Sequence, residues 1–96
     1  MPKFFIGPMS LNIVDAIIDF CEKEDFSIGL IPSRRQVENT GGYVNGWTTK
    51  EFASHVRKHS SKVLIQRDHG GPGQGNEEDN GKSSFLCDIS NGFDLI

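Results

Sequence analysis

An aspartate and a histidine stand side by side just after an apolar run, and a glycine-rich loop follows them. The run is Val63-Leu64-Ile65, the pair is Asp68-His69, and the loop extends from Gly70 to Gly75. A carboxylate beside an imidazole can move protons or bind a metal ion, and glycines let a ligand approach the backbone closely. The alternative is an ordinary turn after a strand, in which Arg67 or a loop amide satisfies the carboxylate. Because a turn needs one or two glycines and this loop has four, the pattern favours a site.

A second candidate region is the polar loop from Pro32 to Trp47. Ordered loops of this length in compact domains are usually functional. Arg34 and Arg35 could bind a phosphate or a carboxylate through forked hydrogen bonds, or they could pair with Glu38. Both interpretations stay open at this point.

Aromatic and histidine residues near this loop allow two interpretations each. Tyr43 and Trp47 could stack on a sugar ring or simply hold the loop in place, and the second is the preferred interpretation. His55 and His59 are four residues apart, a spacing that suits a metal ion on a helix. No third ligand is near them in the sequence, so a solvated helix face is the expected arrangement.

Composition limits the possible functions. The chain has 96 residues, a net charge of -3 and a pI near 5.5, which predict one small domain without the basic surface that nucleic acids require. The longest apolar segment, Ile13 to Cys21, is far shorter than the roughly 20 residues of a membrane span. Cys21 and Cys87 have no metal-type spacing and are expected to be reduced. These features predict a cytoplasmic protein that binds neither nucleic acid nor membrane.

Strand-like and helix-like patterns alternate along the chain. Asn12 with Asp15 resembles a capping box, Thr48 with Glu51 is a Thr-x-x-Glu box, and Ser83-Ser84 can cap a third helix that stops at Asn91-Gly92. The predicted strands are Lys3 to Met9, Phe26 to Ile31, Lys62 to Gln66 and Phe93 to Ile96, and the predicted helices are Asn12 to Glu24, Thr48 to Ser60 and Ser83 to Ile89.

This alternation is typical of β-α-β units that build a parallel sheet. Loops that follow the carboxyl ends of such strands lie on one side of the sheet, so the Pro32 to Trp47 loop and the Asp68 to Gly75 loop should converge there. The fourth strand has barely begun where the sequence stops. The pattern therefore predicts the N-terminal part, about three and a half strands, of a larger α/β fold.

Three motifs, in order, resemble the accessory, non-catalytic subunit of class II tagatose-bisphosphate aldolase, a (β/α)8-barrel family. Arg35 to Tyr43 is similar to the family's Asn-Gln-Val-Asn-Gln-Phe-Gly-Gly-Tyr segment after the second strand. Arg67 to Pro72 is similar to its Gly-Asp-His-Leu-Gly-Pro segment after the third. Asn91 to Phe93 is similar to its Ala-Gly-Phe before the fourth.

The resemblance implies residue roles. In the wider class II aldolases the histidine of this motif binds zinc and its neighbouring aspartate moves a proton, so His69 would be a metal ligand and Asp68 the acid or base. The remaining zinc ligands of the family come from later strands, so this chain holds at most part of a zinc site. The residues expected to contact the sugar phosphate are Arg34, Arg35, Gln36, Gly41, Gly42 and Gly71.

Several positions depart from the family pattern. Arg35 stands where the family has Asn, Glu38 where it usually has an amide, and Gly70 and Gly73 where it has Leu and Asn.

The resemblance implies a sugar-phosphate ligand and, as a protein partner, a catalytic aldolase subunit or a second copy of the chain. The alternative from another functional class is a small α/β binding module that holds an anionic ligand at the glycine-rich loop without chemistry.

Overall fold

The computed structural model describes residues 2–74 and 79–96 and shows a mixed α/β fold. Within these residues lie a parallel sheet of three short strands, in the order β1-β2-β3, and three helices. Gly75, the last glycine of the glycine-rich loop, and residues 76–78 of the acidic segment lie outside the described residues. The elements are β1 (Phe5–Ile6), α1 (Leu11–Glu24), β2 (Gly29–Leu30), α2 (Thr49–His59), β3 (Leu64–Ile65) and α3 (Lys82–Ser90).

A single apolar core joins the strands to the first two helices. Leu30 and Ile65 of the sheet are fully buried and pack with residues of α1 and α2, and α2 contacts both α1 and α3. Burial of such side chains is the main favourable term in folding. On β1, the ring of Phe5 lies against Gly29, where a Cβ would come 2.1 Å from the ring. The core side chains of the helices are Val14, Ile17, Ile18, Cys21, Phe52, Ala53 and Val56.

The helix ends confirm some capping predictions and correct others. Thr48 and Glu51 form the predicted capping box of α2. The predicted Asn12 box is wrong, because Ser10 is the N-cap of α1 and its hydroxyl accepts a hydrogen bond from the Ile13 amide. A serine with extended backbone two residues earlier caps the helix equally well, and the sequence pattern did not separate the two.

Helix α3 differs from its prediction at the start. It begins at Lys82 after Gly81, which is the N-cap and has a φ of +80°, so the predicted Ser83-Ser84 cap is wrong. The side-chain oxygen of Asn80 accepts a hydrogen bond from the Lys82 amide at 2.9 Å. A Cβ at Gly81 would lie 3.1 Å from the Gly71 carbonyl carbon, which explains why a residue without a side chain stands there. The predicted stop is confirmed, since Gly92 has a φ of +74°.

Helix α3 buries polar side chains and exposes apolar ones. Its buried residues are Ser84 and Asp88, whereas Phe85, Leu86 and Ile89 are about half exposed. The helix therefore contacts the rest of the chain mainly through polar groups and turns apolar side chains to solvent.

The segment Phe93 to Ile96 lies beside β3 in the predicted parallel direction but pairs less than predicted. It makes one bridge, Gln66 with Leu95, and is not a full strand. A side chain replaces one of the backbone hydrogen bonds that a full strand would make with β3. The Oδ2 of Asp94 accepts a hydrogen bond from the Ile65 amide at 2.8 Å. Arg57 of α2 holds the same carboxylate at 2.6 Å.

Candidate functional site

The loops that follow β2 and β3 start side by side at the carboxyl edge of the sheet. Ser33 forms a parallel bridge with Asp68, and the Asp68 amide donates a hydrogen bond to the Pro32 carbonyl at 2.9 Å. The prediction that the two loops converge on one side is confirmed.

A small cleft opens where these loops meet. It has a volume of about 290 Å³ and is lined by Ser33, Arg34, Arg35, His69 and Gln74. This volume lies at the lower end of the range for small-molecule sites, which suits a compact ligand or one end of a larger one. All five lining residues have polar side chains, with one exposed guanidinium, that of Arg35, and one exposed imidazole, that of His69.

Asp68 and His69 both present their side chains to solvent beside this cleft. The Asp68 side chain is 47% exposed, the His69 side chain is 66% exposed, and their Oδ2 and Nε2 atoms are 3.6 Å apart. His69 has a φ of +50°, a left-handed conformation that costs a non-glycine residue about 1 kcal/mol.

The turn interpretation supposed that Arg67 could be the hydrogen-bond partner of the Asp68 carboxylate, but Arg67 pairs with Asp88 instead. Its side chain is fully buried and forms two hydrogen bonds with Asp88, from Nε to Oδ2 at 2.8 Å and from Nη2 to Oδ1 at 2.7 Å. Its Nη1 donates to the carbonyls of Ser33 at 3.0 Å and Val37 at 2.6 Å. Its guanidinium carbon also lies 4.9 Å from the ring centre of Phe93.

Sequence reasoning missed this central role of Arg67. The available signal was the two-residue period of a strand, because Val63, Ile65 and Arg67 share one face and the first two are buried. A charge on the buried face of a strand requires a partner inside the protein. Asp88 was not recognised as that partner because it lies 21 residues away on another element.

Arg34 lines the cleft, yet its charge is already matched. It pairs with Glu38 through Nε and with Asp79 through Nη2, and its Nη1 donates to the Gly71 carbonyl at 3.2 Å. Burial alone would lower the pKa of Arg34, but hydrogen bonds to the two carboxylates outweigh it and raise the pKa. The pairing interpretation with Glu38 therefore describes Arg34, which clamps the two loops together, and a ligand role for it would require breaking these contacts.

Three further predicted ligand residues shape the loop around the cleft without lining it. Gln36 is buried, its Oε1 accepts from the Ser33 amide at 2.9 Å, and its Nε2 contacts the Met9 sulfur at 3.5 Å. Gly42 packs on the backbone, since a Cβ there would come 2.0 Å from the Gln36 carbonyl oxygen. Gly41 has a φ of +99° and lets the chain turn. These glycines are conformational requirements of the loop.

The structure shows where the aromatic and histidine residues near α2 lie. Trp47 is buried and packs edge-on against Phe52, with ring centres 5.8 Å apart, so it holds the loop in place, while Tyr43 is exposed. Of the two histidines, His59 is exposed, whereas His55 is partly buried and its Nε2 lies 2.7 Å from Oδ1 of Asp15. Both cysteines are free thiols.

Across residues 2–74 and 79–96, no three His, Cys, Asp or Glu side chains are placed to share one metal ion. His69 supplies a single imidazole at the position where the family resemblance implies a zinc ligand. Over the same part of the chain, none of the helices has the length and apolar character needed to cross a membrane. No family model, curated protein or solved structure matches this chain.

Proposed function

We propose that the cleft between the two loops binds the anionic group of a sugar phosphate, with Arg35 as the main contact. The supporting observation is the bridge between Ser33 and Asp68, which brings the two loops together at the carboxyl edge of a parallel sheet, where Arg35, His69 and Gln74 line one cleft. Ligands of open α/β sheets and of (β/α)8 barrels bind at this edge.

Arg35 is the cleft cation best suited to an anion. It is exposed, whereas Arg34 is buried and paired with two carboxylates. A planar guanidinium forms two parallel hydrogen bonds with a phosphate, and each hydrogen bond to a charged group contributes about 1.5 to 3 kcal/mol.

We assign the chemistry that the resemblance implies to Asp68 and His69. In a class II aldolase of the tagatose-bisphosphate type, Asp68 would hold and return the proton of the substrate hydroxyl as the carbon-carbon bond breaks. Its carboxylate is 47% exposed and lies 3.6 Å from the imidazole of His69, which lines the cleft, and this position is compatible with that role. His69 would be one zinc ligand, and zinc when bound would polarise the substrate ketone. The other ligands would come from later strands of a complete (β/α)8 barrel.

The second candidate is a binding module that holds an anion without chemistry. The observation that favours it is that Arg34 binds both the Gly71 carbonyl and Asp79, which holds the Gly71 part of the loop beside the cleft. A fixed loop beside an exposed arginine is sufficient for binding and requires no proton transfer.

Titration of the 96-residue chain with tagatose 1,6-bisphosphate, followed by NMR, tests the binding proposal. We expect shifts for Arg35, His69 and Gln74, and we expect Arg35→Ala to weaken binding about tenfold or more. Lys58→Ala is the matched control, because it removes the same charge from an exposed site on α2 outside the cleft. Equal affinity of the two variants would reject Arg35 as the contact.

The two candidate functions differ in what the chain does to a catalytic aldolase subunit. An accessory role predicts that adding the chain raises the thermal stability or the turnover of a class II tagatose-bisphosphate aldolase, whereas a simple binding module leaves both unchanged. In a protein that contains the complete barrel, Asp68→Asn should reduce turnover and retain the metal, and His69→Ala should lower metal occupancy. If both variants still support a partner subunit fully, the catalytic assignment is wrong.

A further inference from the structure

Two of the chain's three histidines stand together on α2, outside the cleft. His55 and His59 are one helical turn apart, their ring centres are 4.7 Å apart, and their planes meet at 46°. Trp47 also packs near His55, with ring centres 5.0 Å apart. The indole limits the rotation of the His55 ring, and the helix backbone sets the spacing of the pair.

The hydrogen bond of His59 determines which of its nitrogens is free. Its Nδ1 lies 2.8 Å from the His55 carbonyl oxygen. A carbonyl oxygen only accepts hydrogen bonds, so Nδ1 carries the proton and donates. The lone pair of the neutral ring is then on Nε2, which has no hydrogen-bond partner among the described residues.

The same reasoning applies to His55. Its Nε2 lies 2.7 Å from Oδ1 of Asp15, a residue of α1. An ionised carboxylate only accepts, so Nε2 donates and the lone pair of the neutral ring is on Nδ1. Each imidazole thus has one N–H directed to an oxygen and one nitrogen available as a ligand.

We propose that His55 and His59 chelate one divalent transition-metal ion, through Nδ1 of His55 and Nε2 of His59. Metal-binding histidines almost always donate their other ring N–H to a carboxylate or a backbone carbonyl, which fixes the tautomer and makes the ligand more basic. Asp15 and the His55 carbonyl occupy those two positions here. Water completes the coordination, so the ion exchanges with solvent.

Ligand type sets the metals that this site takes. Imidazole nitrogens suit copper, nickel and zinc, and affinity rises toward Cu²⁺ in the general order for divalent ions of the first row. Magnesium and calcium prefer oxygen ligands and are not expected to bind. The site is separate from His69 and does not depend on the proposed sugar-phosphate function.

Calorimetric titration of the 96-residue chain with Ni²⁺ and with Zn²⁺ at neutral pH tests the proposal. We expect one ion per chain, and no heat of binding with Mg²⁺. The principal variant is His59→Asn, because His59 is exposed and hydrogen-bonds only to its own helix, and it should lose binding. His55→Asn should do the same, and Asp15→Asn should weaken binding by about tenfold or more while both ligands remain.

The matched control is His69→Asn, which removes the third histidine of the chain and should bind Ni²⁺ as the unchanged protein does. Electron paramagnetic resonance of the Cu²⁺ complex adds a readout that loss of stability does not imitate, since the unchanged protein should show two nitrogen ligands on copper and His59→Asn should not show this two-nitrogen signal. Unchanged binding in His59→Asn, loss of binding in His69→Asn, or half an ion per chain would each overturn the proposal.

Discussion

Arg67 and Asp88 form a buried, two-pronged ion pair that joins the end of β3 to α3, with hydrogen bonds of 2.8 and 2.7 Å. The side chains are 0% and 1% exposed. Because Arg67 also binds carbonyls of the loop after β2, one guanidinium connects the elements that surround the cleft. The stability of the fold and the shape of the cleft therefore depend on the same residue.

Removing one member of this pair should destabilise the protein severely. Arg67→Met leaves the Asp88 carboxylate buried without a partner, and breaking a buried pair costs about 3 to 5 kcal/mol. That is a large part of the total free energy of unfolding of a small domain, about 5 to 15 kcal/mol. Urea denaturation followed by circular dichroism measures the loss. The double variant Arg67→Met with Asp88→Leu should be more stable than Arg67→Met alone, and the reverse order would contradict this account.

Gly42 and Gly71 should respond differently to alanine. A Cβ at Gly42 would overlap the Gln36 carbonyl oxygen, whereas no atom lies within 4 Å of a Cβ at Gly71. Gly42→Ala should therefore lower the melting temperature and disturb the loop, and Gly71→Ala should change the melting temperature little. Thermal melts of both variants provide the comparison. If Gly71 contacts a ligand, Gly71→Ala should weaken ligand binding without loss of stability.

The capping box of α2 should make stability depend on pH. Hydrogen bonds from the backbone and then the side chain of Thr48 lower the pKa of Glu51 below its ordinary value of 4.5. A carboxylate with a lowered pKa stabilises the folded state above its unfolded pKa, and the contribution is lost as pH falls through the folded pKa. Glu51→Ala should thus be less stable than the unchanged protein at pH 7, and the difference should shrink on acidification.

Thr48→Ala is the matched comparison for that series. It removes the hydroxyl that accepts from the Glu51 amide and should cost about 1 kcal/mol at neutral pH. Part of this loss should persist in acid, because the hydroxyl does not titrate. A pH-independent difference between Glu51→Ala and the unchanged protein would show that the carboxylate charge contributes nothing.

The chain should associate with itself when isolated. Edge strand β1 and its neighbours present apolar side chains, with Phe4 and Met9 each 60% exposed, and an unpaired parallel edge is a template for another strand. Sedimentation at several concentrations should show species larger than the monomer, and Phe4→Lys should reduce them. A monomer at every concentration with a cooperative melt would contradict this expectation.

Local patterns predicted the order and the parallel direction of the strands, the Thr48 to Glu51 box and the meeting of the two loops. These features could be predicted because they follow from residues close together in the sequence and from the general right-handedness of β-α-β connections. The pairing of Arg67 with Asp88 and of Arg34 with Asp79 could not be predicted, because several acidic residues are available as partners and only the tertiary fold selects one. The buried contacts of Arg34 and Gln36 could not be predicted for the same reason, since these residue types suit both a ligand role and a buried contact.

Arg67 holds the loop after β2 through hydrogen bonds to two main-chain oxygens, those of Ser33 and Val37. Every amino acid carries the same carbonyl, so this anchor fixes the path of the loop whatever side chains the loop displays. Substitutions at Ser33 or Arg35 can then change which ligand the cleft accepts while the loop keeps its course. This contribution to the stability of the loop therefore does not depend on the side chains that line the cleft. This makes the cleft a suitable place to evolve or engineer a new specificity.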